Sequence, residues 1–140
     1  MKNRYWIYIV VIIVLIQFIP LKQTNPPVVR EPNWDSPRTR ALAKRTCFNC
    51  HSNETVWPWY SKVAPVSWLV THDVNEGRHH FNVSEWYRTS KEEATEEFLE
   101  KEMPPALYLL MHPEAKLNST ERSELLKGLE ATFGKPKDHH

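Results

Sequence analysis

Glycine is scarce in this chain, with three residues in 140 against eleven prolines and six tryptophans. So little glycine disfavours tight hairpin turns. No apolar run alternates over enough residues to mark a strand, so a sheet is not expected. Cysteine is nearly absent too. Cys47 and Cys50 are the only two, which excludes the multi-bridge framework that staples many small exported domains. Charge of one sign is also missing: the formal net charge is +1, and the chain beyond Lys2 and Arg4 is close to neutral, so nucleic acid is not an expected partner. There is no internal repeat. What remains is an all-α domain of about a hundred residues.

The one long hydrophobic run lies at the start. Lys2 and Arg4 precede Tyr5 to Ile19, a stretch of Ile, Val, Leu and aromatic residues broken only by Gln17 and ended by Pro20. This is the outline of a signal anchor, and Tyr5 to Leu21 falls at the short end of a membrane span. No small-residue cleavage site follows it. The sequence therefore predicts an uncleaved transmembrane helix over 1–21 that makes membrane lipid a partner. It also predicts single-pass placement in a bacterial cytoplasmic membrane, with the soluble domain on the periplasmic side. A proline-rich linker follows over 22–33, then a domain over 34–134 and a tail over 135–140, with the exposed pair His139 and His140 at its end.

Within the domain, Asp35 or Ser36 caps a first helix with Pro37 in its first turn, leading into the cysteines. Val66, Leu69, Val70 and Val74 recur at helical spacing, predicting a second helix near Pro65 to Glu76 closed by Gly77. Ser90 and Glu93 have the spacing of a capping box for a third helix that runs to about Glu102 before Pro104 and Pro105. Asn118 and Glu121 open a last helix whose inner face holds Leu125, Leu126, Leu129 and Phe133, with Gly134 and Pro136 ending it. Arg38, Arg40, Lys44 and Arg45 cluster before the cysteines, while Glu92, Glu93, Glu96, Glu97, Glu100 and Glu102 crowd the third helix. These groups are either solvated faces or a docking surface for a charged redox partner.

The chemistry is carried by Cys47-Phe48-Asn49-Cys50-His51, which has the C-x-x-C-H pattern of covalent haem c attachment. Cysteines three apart present two sulfurs on one side of a helical turn, where they can add to the two vinyl groups of a porphyrin. The adjacent histidine then reaches the iron from that side as proximal axial ligand. A bare disulfide, a redox dithiol and a zinc site are the competing readings of the pair. A thioredoxin-type dithiol needs a strand before the motif and a parallel sheet. Zinc needs further ligands that the scattered histidines offer only loosely. Phe48, Trp57, Trp59, Tyr60, Trp68 and Trp86 could wall a porphyrin or simply enlarge a small core. Met103, in Glu102-Met103-Pro104-Pro105, could present a thioether to iron from a loop, and Met111, His72, His79, His80 and His112 are the alternatives.

Together with Trp57-Pro58-Trp59-Tyr60, Ala64-Pro65-Val66-Ser67-Trp68 and the stretch from Met103-Pro104 to His112-Pro113-Glu114-Ala115-Lys116-Leu117, the motif resembles the haem-binding domain family of small membrane-anchored c-type cytochromes. The resemblance runs from about Trp34 to Phe133. It implies a small cytochrome c-like helical domain around one haem c per chain. By similarity to class I cytochromes c it places the distal iron ligand at Met103. The function expected is single-electron transfer with an unidentified redox protein partner. The alternative is a haem-based gas or redox sensor, or a peroxide-reactive haem protein, with an open or weakly held distal site. No catalytic apparatus is evident around the iron, so an enzyme is not expected.

Overall fold

A computed structural model describes residues 4–88 and 91–135, and its regular elements are all helices. Among the described residues the elements are α1 (Arg4–Ile16), α2 (Pro37–Thr46), α3 (Phe48–His51), α4 (Val66–His80), α5 (Lys91–Leu99), α6 (Ala106–Met111) and α7 (Ser119–Phe133). Short 3-10 turns occur at Trp59–Lys62, Trp86–Arg88 and Pro113–Ala115. There is no strand among these residues, only an isolated bridge between Arg30 and Glu85.

Local sequence dictates the ends of the two helices that build the core. The Ser36 hydroxyl accepts the Thr39 N–H at 3.1 Å, and Pro37 occupies the first helical position, where its missing N–H costs nothing. In α7, Asn118 and Glu121 form a reciprocal capping box, with bonds of 2.9 and 3.1 Å. The buried face of α2 (Leu42, Ala43) packs with Phe48, Phe81, Val83, Phe98, Leu125, Leu129 and Phe133 into one core. Gly128 allows the close approach of α7 to α2, because a Cβ there would lie 2.1 Å from the Thr39 hydroxyl oxygen. Trp34 meets the Phe133 ring edge-on at 5.7 Å between centroids, and Trp86 lies tilted against it at 4.6 Å.

Four elements differ from the sequence expectation. The second helix does not close at Gly77 but continues to His80. The third ends at Leu99 instead of Glu102, and Lys101 takes a left-handed backbone just beyond it. Ser90 and His139–His140 lie outside the described residues, as does Lys2. The short α3 and α6 were not expected, since four and six residues give no readable periodicity.

The expected membrane helix is overturned. Among the described residues no helix is long and apolar enough to cross a membrane, which removes the transmembrane element and the single-pass membrane placement built on it. At 13 residues, α1 is about 20 Å long, against the roughly 30 Å of a hydrocarbon core. Gln17 is the physical cause. Its side chain donates to the Ile13 carbonyl at 2.9 Å and the Ala64 carbonyl at 3.1 Å, and accepts the Ala64 N–H at 3.0 Å. The apolar run therefore stops being a helix three residues before Pro20.

The proline-rich segment beyond is extended and fastened to the domain. Gln23 donates to the Ser61 carbonyl at 2.6 Å and to the Thr71 hydroxyl at 3.1 Å. Asn25 donates to the Thr55 carbonyl at 2.8 Å, and the Val29 and Arg30 N–H groups both reach the Ser84 carbonyl at 3.0 Å. The segment 17–30 is thus a strap laid across the haem-motif side of the fold.

Candidate functional site

Cys47 sits at the junction of α2 and α3. Its N–H closes α2 on the Ala43 carbonyl at 2.7 Å, while its own carbonyl accepts the N–H groups of Cys50 (3.2 Å) and His51 (2.9 Å). One helical turn therefore carries Cys47, Cys50 and His51, as the motif requires. Both thiols are free and partly buried. Burial pushes both up, Cys50 to about 11 with the help of the Asp73 charge, so they are protonated at neutral pH. The Cys47 sulfur lies 3.2 Å from the Thr46 hydroxyl.

His51 is oriented by α4. Its Nδ1 lies 2.9 Å from the carbonyl oxygens of both Gly77 and Phe81. A carbonyl only accepts, so Nδ1 carries the proton and Nε2 keeps its lone pair. Burial holds the imidazole below its usual range, opposed by these two bonds, which favours a neutral ring. Gly77 makes the arrangement sterically possible, since a Cβ there would meet the Cys50 carbonyl oxygen at 2.6 Å. The His51 carbonyl in turn accepts the Val83 N–H at 2.9 Å. Gly77 thus lets α4 touch the motif turn instead of ending the helix.

Arg78 locks the strap to the same turn. Its guanidinium donates to the carbonyls of Ser52 (2.7 Å) and Thr24 (2.8 Å), to Asn25 Oδ1 (3.0 Å) and to the Thr55 hydroxyl (2.8 Å), and lies 6.0 Å from the Trp57 ring centroid. All four acceptors are neutral, and burial lowers its pKa accordingly. The basic cluster before the cysteines is mostly neutralised. Arg40 forms a two-pronged pair with Glu31, Arg38 reaches Glu124, Arg45 reaches Glu121, and Lys44 reaches Glu54.

The distal candidates separate clearly. His72, His79 and His80 are exposed on α4, and Met111 is half exposed on α6. Both nitrogens of His112 are engaged, Nε2 by the Tyr60 hydroxyl at 2.6 Å and Nδ1 by Glu114 at 2.7 Å. Met103 is partly buried in the turn between α5 and α6, and its N–H bonds the Glu97 carbonyl at 3.4 Å. Of the candidate aromatics, Phe48 is buried in the core and Trp86 packs against it. Trp57, Tyr60 and Trp68 are partly buried, and Trp59 is 76% exposed.

Five residues that matter were not singled out for the site from the sequence: Asn49, Gly77, Arg78, Phe81 and Tyr108. Asn49 donates to the Tyr108 hydroxyl at 2.9 Å and accepts the Val56 N–H at 3.0 Å. Only Asn49 offered a signal, as a polar residue between the two cysteines. Among the described residues no group of three or more His, Cys, Asp or Glu side chains could hold a bare metal ion, so a zinc site gains no support. No curated protein and no solved structure matches the chain. A family model described as a haem-binding domain does, over residues 11–131, and the chain belongs to that family.

Proposed function

We propose that this member of the haem-binding domain family carries one haem c, bound covalently through Cys47 and Cys50, with His51 Nε2 and Met103 as axial ligands, and that it passes single electrons to a protein partner. The observation that carries the reading is His51. Two backbone carbonyls on one imidazole nitrogen leave the other as a buried lone-pair donor beside two cysteines on the same turn, which fits a haem iron ligand. A haem held here supplies a one-electron carrier.

The chain's own groups argue against the redox-dithiol alternative. Reactive C-x-x-C pairs have a cysteine pKa well below the ordinary thiol value, whereas burial pushes both thiols up here. The preceding strand such a fold requires is replaced by α2. Met103 is favoured because it is partly buried and its turn hangs from Glu97, while His112 has no nitrogen left for iron.

The test is expression together with a haem c maturation system, followed by a pyridine haemochrome spectrum and a haem-stained denaturing gel. One covalent haem per chain is expected, with loss of the stained band in the Cys47→Ser/Cys50→Ser variant. Colourless protein under those conditions would overturn the reading.

A further inference from the structure

Helix α6 is held to the domain in an unusual way. It buries no residue, and Leu107, Leu110 and Met111 face solvent. Apolar packing, which fixes most helices, does little here. Polar bonds from two side chains take its place. The Tyr108 hydroxyl accepts from Asn49 at 2.9 Å, and the Tyr60 hydroxyl donates to His112 Nε2 at 2.6 Å. Tyr108 and His112 stack at 4.4 Å between centroids and 19° between planes, and Glu114 fixes the far imidazole nitrogen at 2.7 Å. The Asn49 amide cannot turn over, because its oxygen accepts the Val56 N–H.

These bonds land on the haem motif and on the aromatic insert that follows it. Tyr108 is five residues beyond Met103, two of them extended and three helical, so the two Cα atoms lie within roughly 12 Å. Asn49 is two residues from His51. The bonds that hold α6 therefore tether the segment that follows Met103 to the motif and its aromatic insert.

We infer that Tyr60, Tyr108 and His112 form a latch whose closure positions Met103 as an iron ligand and whose opening frees the sixth coordination position for an external small ligand. These are positioning residues, and the inference rests on Met103 being the distal ligand. An element held by a few polar bonds with little buried apolar area has a small free-energy gap between closed and open forms. Removing latch bonds shifts that balance while leaving the core built by α2, α5 and α7 intact.

The experiment compares the haem-loaded wild type with Met103→Ala and with the Tyr60→Phe/Tyr108→Phe double variant. It records the ferric near-infrared band of thioether ligation and carbon monoxide binding to the reduced protein, with haem content and circular dichroism as controls. The wild type should show the band and Met103→Ala should lose it. The double variant should keep its haem and helicity, show a weaker band, and bind carbon monoxide between about three- and tenfold more tightly for each hydrogen bond removed. A double variant that matches the wild type in both readouts, while Met103→Ala loses the band, overturns the latch and leaves the ligand assignment standing. A Met103→Ala protein that keeps the band overturns both. If the double variant fails to fold, the single Tyr108→Phe change, which retains the ring stack, is read against the same criteria.

Discussion

Glu31, the residue just past the strap, shows how one side chain can tie the chain there to α2. Its carboxylate accepts two bonds from Arg40, at 2.6 and 2.8 Å, and one from Trp34 at 3.0 Å. The Arg40 bond is the largest cause holding Glu31 below the usual carboxylate range. A depressed folded pKa means the ionised form is favoured by folding, so this contribution is present above about pH 4.5 and is lost as pH falls through the lower folded value. Glu31→Gln should therefore lower the urea midpoint at pH 7 and narrow the gap between wild type and variant toward pH 3. The expected loss at pH 7 is about 1 kcal/mol or less, because Arg40 is exposed enough for solvent to screen the pair. At Gly77 the limit is steric. A methyl would meet a backbone oxygen at 2.6 Å, and backbone cannot swing aside. Gly77→Ala should cost about 1–3 kcal/mol and reduce the yield of haem-loaded protein, as measured by the Soret-to-protein absorbance ratio. Cys47, Cys50 and His51 were legible in the sequence because their chemistry is local, five consecutive residues on one turn. The carbonyls that orient His51 were not, since they come from 26 and 30 residues away and backbone acceptors leave no side-chain signature.

Among the elements, α2 and α7 were readable from their caps and apolar stripes, and their packing was not. Gly128 reads as an ordinary helix interruption until Thr39 is placed against it. Gly128→Ala gains helix propensity, worth about 1 kcal/mol, but must displace Thr39 to seat its methyl. The clash should prevail, with a net loss of about 1–3 kcal/mol in thermal or urea unfolding. The pair Gly128→Ala/Thr39→Ala, which removes both the hydroxyl oxygen and the methyl that crowd the position, should recover part of that loss. Helix α6 was invisible because Pro104 and Pro105 read as a stop and six residues carry no period. For α1, counting apolar residues overstated the helix, because the count could not know that Gln17 bonds Ala64, 47 residues away.

Across the whole molecule, the segment expected to be a spacer is a structural member. Gln17 read as a break in the apolar run and Gln23 and Asn25 as polar residues of a proline-rich linker, yet each bonds a specific backbone group of the domain. Arg78 is the central fastening, joining Thr24 and Asn25 of the strap to Ser52 and Thr55 beside the motif. Arg78→Met preserves much of the side chain's bulk but leaves four acceptors without their donor. It should destabilise by about 2 kcal/mol or more and speed proteolysis between residues 20 and 34, followed by mass spectrometry of the cleaved termini.

The bonds that orient His51 also bear on the order in which the chain leaves the ribosome. Gly77, Phe81 and Val83, the partners of its ring and its carbonyl, all precede residue 84, and so do Arg78 and the strap. Met103, α6 and α7 are made afterwards. The polar partners of the His51 ring and carbonyl are thus all made before Tyr108, which bonds Asn49 of the same turn, and before the α7 side chains that pack with Phe48, so one half of the chain orients the imidazole and the other buries the turn that carries it.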